Sequence, residues 1–129
     1  YDGRNKNLVT PVNIELGGMK QILKALKNGE AVGILPDQVP PEGHGEWSSF
    51  FNQKVYTMTL VQKLHTLTKA PIIFAIGRRL KIGSGFEIEL FEFKGSVTTK
   101  KIDECIETIV KTSPEQYLWN YRRYKLPKS

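Results

Sequence analysis

The stretch Ala31-Val32-Gly33-Ile34-Leu35-Pro36-Asp37-Gln38 constrains this chain more than any other. Its first five residues are apolar or glycine, the pattern of a short buried strand. Pro36 has no N–H to give to a sheet ladder, so the strand is expected to end there. Asp37 and Gln38 then stand at the strand's C-terminal end, where open α/β sheets place ligand-binding groups. Read locally, a strand that ends in a polar turn explains the same residues.

A chain of 129 residues with 40% hydrophobic content suits one domain with a real core. No apolar run approaches the ~20 residues needed to span a bilayer, and no signal peptide opens the chain. The 19 Lys and Arg outnumber the 13 Asp and Glu. That excess suits an anionic partner, whether nucleic acid, acidic phospholipid or a phosphorylated substrate, without choosing among them. Cys105 is the sole cysteine, which excludes an internal disulfide and a cysteine-rich metal site and suits a reducing compartment. The chain opens at Tyr1 without Met, and Gly3, Asn5, Asn7, Pro11 and Asn13 make its start irregular. It reads as a fragment of something longer.

Gly18 to Asn28 has Met19, Ile22, Leu23 and Leu26 on one face and Lys20, Gln21, Lys24 and Lys27 on the other. This predicts a helix closed by Gly29. Val39 to Lys54 reads as a long loop in which Trp47, Phe50 and Phe51 need burial or a ligand. His44 and Glu46 are candidates for an acid-base pair, against the plainer reading of a surface histidine beside turn glycines. Thr57 to Lys69 predicts a second helix with Thr57 as N-cap and His65 at the edge of its buried stripe. Ile72 to Ile76 predicts a strand parallel to the first, with that helix as a right-handed crossover. Arg78 and Arg79, at this strand's end, are candidates for a rim that binds phosphate or carboxylate.

Gly83-Ser84-Gly85 marks a turn, and Phe86, Ile88 and Leu90 alternate with Glu87, Glu89, Phe91 and Phe93 in an antiparallel strand. Lys100 to Thr112 predicts a third helix with Ile102, Ile106, Ile109 and Val110 inward and Cys105 as a small core residue. Ser113-Pro114-Glu115-Gln116 carries a helix start signal, with Gln116 closing a capping box. Tyr117 to Lys125 then reads as a short helix mixing rings with cations. Membrane interfaces and single-stranded nucleic acid platforms share that mixture with an ordinary packed terminal helix.

Taken together, these residues resemble the bacterial lipid A biosynthesis lauroyl/myristoyl acyltransferase family. The resemblance runs through Gly3-Arg4, Leu23 to Glu30, Gly33 to Gln38, Phe50-Phe51-Asn52-Gln53 and Tyr56 to Thr59, and closes on Ser113 to Trp119 and Arg122 to Lys125. Asn52 stands where the family usually has glycine. The resemblance implies a mixed α/β sheet with flanking helices, glycerolphosphate-acyltransferase-like and partial, with residues 1–129 as the C-terminal part of a single acyltransferase domain. It implies transfer of a fatty acyl chain from acyl carrier protein to a hydroxyl of a lipid A precursor, at the cytoplasmic face of the inner membrane.

In that family a His-x4-Asp/Glu motif supplies the base. Neither His44 nor His65 fits, because Ser49 and Ala70 stand where the carboxylate belongs. The resemblance implies Arg4 and Asp37 as catalytic residues, the guanidinium stabilising the oxyanion and the carboxylate fixing it by a bidentate pair. Gln38, Arg78 and Arg79 are expected to contact substrate or the carrier protein, and Trp119, Arg122, Arg123 and Lys125 the anionic membrane surface. No metal site, no cofactor and no nucleic-acid partner is expected. The competing reading from another class is a stand-alone basic module that binds nucleic acid or an anionic membrane.

Overall fold

The computed structural model describes residues 9–12 and 17–128. The chain divides into two compact units, Tyr1–Gly33 and Ile34–Ser129. The first contains helix α1, Gly18–Lys27, with Ile22 buried and Lys20, Gln21, Lys24 and Lys27 exposed, as the periodicity predicts. Gly29 adopts φ +78°, and the N–H groups of Glu30 and Gly29 reach back to the carbonyls of Ala25 and Leu26. This is a Schellman closure, and the positive φ is why glycine stands there.

The expected strand Ala31 to Leu35 is not formed: these residues are irregular, and Pro36–Gln38 is a turn. A strand exists only through its ladder, and both sheets of the described residues are built from other segments. The run finds neither a backbone partner nor full burial: Leu35 is exposed.

The second unit contains β1 (Gly45–Phe50), β2 (Gln53–Met58), α2 (Leu60–Thr68), β3 (Ile73–Arg79), β4 (Phe86–Glu92), α3 (Thr99–Thr112) and a 3-10 turn at Pro114–Gln116. The fold is mixed α/β, but it holds two separate two-stranded antiparallel sheets, β1-β2 and β3-β4, instead of one mixed sheet. β3 is therefore not parallel to an earlier strand, and α2 is not a crossover. Short turns bring each strand to its sequence neighbour at small entropic cost, which favours these hairpins.

The expected long loop from Val39 to Lys54 is mostly hairpin. Phe50 pairs with Gln53, leaving the two-residue turn Phe51-Asn52 with φ +48° and +59°. Positive φ at both positions is the geometry of a type I′ turn, which prefers Asn or Gly. Asn52 thus meets the need that glycine meets in the family. Phe51 is a costly choice for such a backbone. It is held by its N–H donating to Glu107 Oε1 at 2.7 Å and by its ring meeting Phe50 edge-on at 4.8 Å. Asn52→Ala is expected to lower unfolding free energy by about 1 kcal/mol, with Asn52→Gly nearly neutral, in urea titrations. Equal stability of the two variants would remove the turn argument.

Thr57 is not the cap of α2 but a buried β2 residue. Gly45, opposite Met58, has no room for a side chain: a Cβ there would meet Thr57 O at 2.6 Å and Pro40 Cγ at 2.8 Å. α3 lies against β1, and Phe50, Val55, Ile102, Ile106 and Val110 form the core, flanked by Phe51, Val61, Phe74, Phe93 and Tyr117. Thr98 caps α3 by accepting from the Lys101 N–H at 3.2 Å. On β3-β4, Phe74 stacks on Phe91 at 5.4 Å and tilts against Phe93 on one face. Phe86, Ile88 and Leu90 line the opposite, exposed face.

Candidate active site

Asp37 lies half-buried in the turn after Leu35, and its Oδ2 accepts a hydrogen bond from the Tyr117 hydroxyl at 3.0 Å. Four residues on, the Tyr121 hydroxyl accepts from the Val39 N–H at 2.8 Å. Two tyrosines of the C-terminal segment thus hold the Asp37 turn across 80 and 82 residues of chain. Burial pushes the Tyr117 phenol well above its ordinary pKa, and the negative charge of Asp37 and its hydrogen bond push the same way. A phenol raised in this manner stays protonated at neutral pH and keeps donating to the carboxylate.

The segment is not the helix that its start signal predicts. Beyond Pro114–Gln116 it runs as successive turns, with Trp119 N–H bonded to Tyr117 O and Tyr121 N–H to Leu118 O. Its side chains explain why, because they are drawn to separate partners. Gln116 closes no capping box; its Oε1 accepts from the Arg79 N–H at 2.7 Å and its Nε2 donates to Arg79 O at 3.1 Å. Trp119 Nε1 donates to Pro114 O at 2.7 Å. Tertiary hydrogen bonds outweigh local helix propensity here.

These turns border an open cavity of about 440 Å³ lined by Phe50, Tyr117, Trp119, Tyr121, Arg122 and Lys125, among others. Lys125 Nζ lies 5.1 Å from the centre of the Tyr121 ring. Tyr117 belongs to both features: its ring lines the cavity and its hydroxyl binds Asp37.

Arg123 departs from the membrane-facing expectation. Only 2% exposed, its Nη2 donates to Asp103 Oδ1 at 2.9 Å and to Thr57 Oγ1 at 2.5 Å. Its Nη1 donates to Tyr56 O at 2.9 Å, and Thr57 Oγ1 donates to Asp103 Oδ2 at 2.7 Å. The guanidinium also lies 5.7 Å from the centre of the Phe50 ring. Its neighbours Trp119, Arg122 and Lys125 are exposed.

The other sequence candidates are scattered. Arg4 lies outside the described residues. Gln38 is exposed, its N–H closing the turn on Leu35 O at 3.4 Å. Arg78 is engaged with Glu89 and donates from Nη2 to Thr112 Oγ1 at 3.0 Å, whereas the Arg79 side chain is exposed. His44 and Glu46 do not pair: His44 is exposed and Glu46 accepts from Thr99. His65 Nδ1 sits 2.9 Å from Ala70 O at the end of α2, as a helix-edge histidine would. Burial raises the pKa of Cys105, away from the thiolate that a nucleophile needs. Among the described residues no group of three metal-ligating side chains comes together.

Three residues with defined jobs escaped sequence reasoning: Tyr117, Tyr121 and Asp103. Asp103 carried a usable signal. It lies three residues before Ile106 and seven before Val110, so a carboxylate occupies the buried stripe of α3 and requires a partner.

The fold is thus a mixed α/β arrangement of hairpins and helices, and the candidate site is a tyrosine-held carboxylate next to an aromatic, cationic cavity. Residues 3–126 match the family described as bacterial lipid A biosynthesis acyltransferase, and the chain belongs to that family. It is 28% identical over 119 residues to the lipid A biosynthesis lauroyltransferase of Escherichia coli (strain K12), covering 83% of this chain and 38% of that protein. It is 31% identical over 114 residues to the lipid A biosynthesis palmitoleoyltransferase of the same organism, covering 83% of this chain and 37% of that protein. A lipid A biosynthesis acyltransferase of Shigella flexneri matches at the same identity and coverage. The chain spans less than two fifths of the length of these relatives.

Proposed function

We propose that this chain is part of an acyltransferase that moves a fatty acyl chain from acyl carrier protein to a hydroxyl of a lipid A precursor. The reaction forms a C–O bond, breaks the thioester C–S bond and passes the hydroxyl proton to the departing thiolate. Its fold is read as part of a glycerolphosphate-acyltransferase-like domain acting at the cytoplasmic face of the inner membrane. No helix among the described residues is long and apolar enough to cross a membrane.

One observation carries this reading. The Tyr117–Asp37 hydrogen bond joins the two stretches on which the family resemblance is most specific, Pro36-Asp37-Gln38 and Pro114 to Trp119, beside one cavity. Asp37 is the orienting carboxylate of the site, and Arg4 stabilises the oxyanion. A His-x4-Asp/Glu base is absent from these residues and has to be supplied from elsewhere in the protein. Arg122 and Lys125 meet anionic headgroups at the cavity, with Trp119 at the membrane interface. Arg78 and Arg79 meet substrate phosphate or the acidic surface of acyl carrier protein, and Gln38 contacts substrate.

The test is an acyl-transfer assay on the full-length protein in phospholipid vesicles, with labelled acyl–acyl carrier protein as donor. Label on the lipid A precursor is the expected result. Equal labelling of an unrelated phosphorylated glycolipid would move the acceptor assignment. No transfer, together with tight salt-sensitive binding of oligonucleotides, would favour the basic-module reading.

A further inference from the structure

The C-terminal Tyr-Leu-Trp-Asn-Tyr stretch carries two hydroxyls at one helical-turn spacing, yet the segment is not a helix. Both hydroxyls point to the same short piece of chain. Tyr117 donates to Asp37 Oδ2 and Tyr121 accepts from the Val39 N–H two residues further on. A turn closed only by the 3.4 Å Gln38-to-Leu35 hydrogen bond would leave the Asp37 carboxylate free to rotate. Two side-chain bonds from a distant segment remove that freedom.

The tyrosines are themselves anchored. The Tyr117 ring meets Trp119 edge-on at 4.9 Å and Phe50 at 6.0 Å, and Phe50 is fully buried in the core. Tyr121 is half-buried beneath Lys125. Rotamers locked by packing hold a functional group within the narrow tolerance that preorganisation needs.

We propose that Tyr117 is a positioning residue for the Asp37 carboxylate, with Tyr121 as the second arm of the clamp. The inference rests on the reading of Asp37 as part of the active site. In this role Tyr117 acts through the carboxylate it holds.

The experiment compares Tyr117→Phe, Tyr117→Leu and Asp37→Ala in the full-length protein, measuring kcat, KM for the acyl donor and Tm. Tyr117→Phe keeps the ring and loses only the hydroxyl. It is expected to lower kcat about tenfold, the scale of one hydrogen bond, with KM unchanged and Tm only slightly lowered. Tyr117→Leu is expected to lose kcat similarly and to drop in Tm as well, because the Phe50 and Trp119 contacts go with the ring. Wild-type kcat in Tyr117→Phe, or a fall in kcat only in Tyr117→Leu, overturns the clamp and leaves Tyr117 as packing. Wild-type turnover in Asp37→Ala instead overturns the active-site reading beneath it, so the two failures are separable.

Discussion

Arg123→Met is expected to be strongly destabilising, costing about 3–5 kcal/mol. The reason is what it leaves behind. Asp103 is fully buried, and its Oδ1 loses the Arg123 Nη2 partner at 2.9 Å. Thr57 Oγ1 and Tyr56 O lose donors in the same step. An ionised carboxylate cannot stay in that interior uncompensated, so the chain either protonates it or opens. Against a typical total of about 5–15 kcal/mol, such a loss brings much of the population near unfolding. Urea denaturation followed by circular dichroism measures it. Removing both partners, as Arg123→Met with Asp103→Leu, is expected to recover much of the loss, because no lone charge remains. A single-variant cost below about 1 kcal/mol would show the pair to be dispensable.

The second large effect falls on activity. Asp37→Ala in the full-length protein is expected to reduce turnover by about 10²–10³, the cost of losing a group that sets up oxyanion stabilisation. Folding should be nearly untouched. Asp37 sits half-buried in a turn and its hydrogen-bond partner among the described residues is one phenol, so the stability cost should stay within about 1–1.5 kcal/mol, one ordinary hydrogen bond. The measurements are acyl transfer under saturating donor and the urea midpoint of the same preparation. Wild-type turnover sinks the assignment, and collapse of both quantities together reduces Asp37 to a structural residue.

The C-terminal segment holds two kinds of charge that the sequence does not distinguish. Arg122 and Arg123 are neighbours of identical type, yet one is exposed beside the cavity and the other is sealed against Asp103. Sequence reasoning placed both at a membrane surface because ring-and-cation composition has that meaning on average. What singles out Arg123 is a carboxylate 20 residues away on α3 and a hydroxyl 66 residues away on β2. No local pattern encodes that convergence.

What the sequence determined by itself was local. The faces of α1 and α3, the closure at Gly29, the antiparallel β4 after Gly83-Ser84-Gly85 and the helix-edge place of His65 all follow from periodicity and turn chemistry within a few residues. The resemblance in the Pro36-Asp37-Gln38 and Pro114 to Trp119 stretches also named the family. Only the tertiary structure decided how the other strands pair, because an apolar run does not specify its ladder partner. Ala31 to Leu35 therefore has no ladder, while Gly45 to Phe50, rich in turn residues, becomes β1. Only the tertiary structure, too, brought Tyr117 and Tyr121 to the Asp37 turn. A hydroxyl has many acceptable partners, and which one it takes is chosen by the packing that fixes its ring.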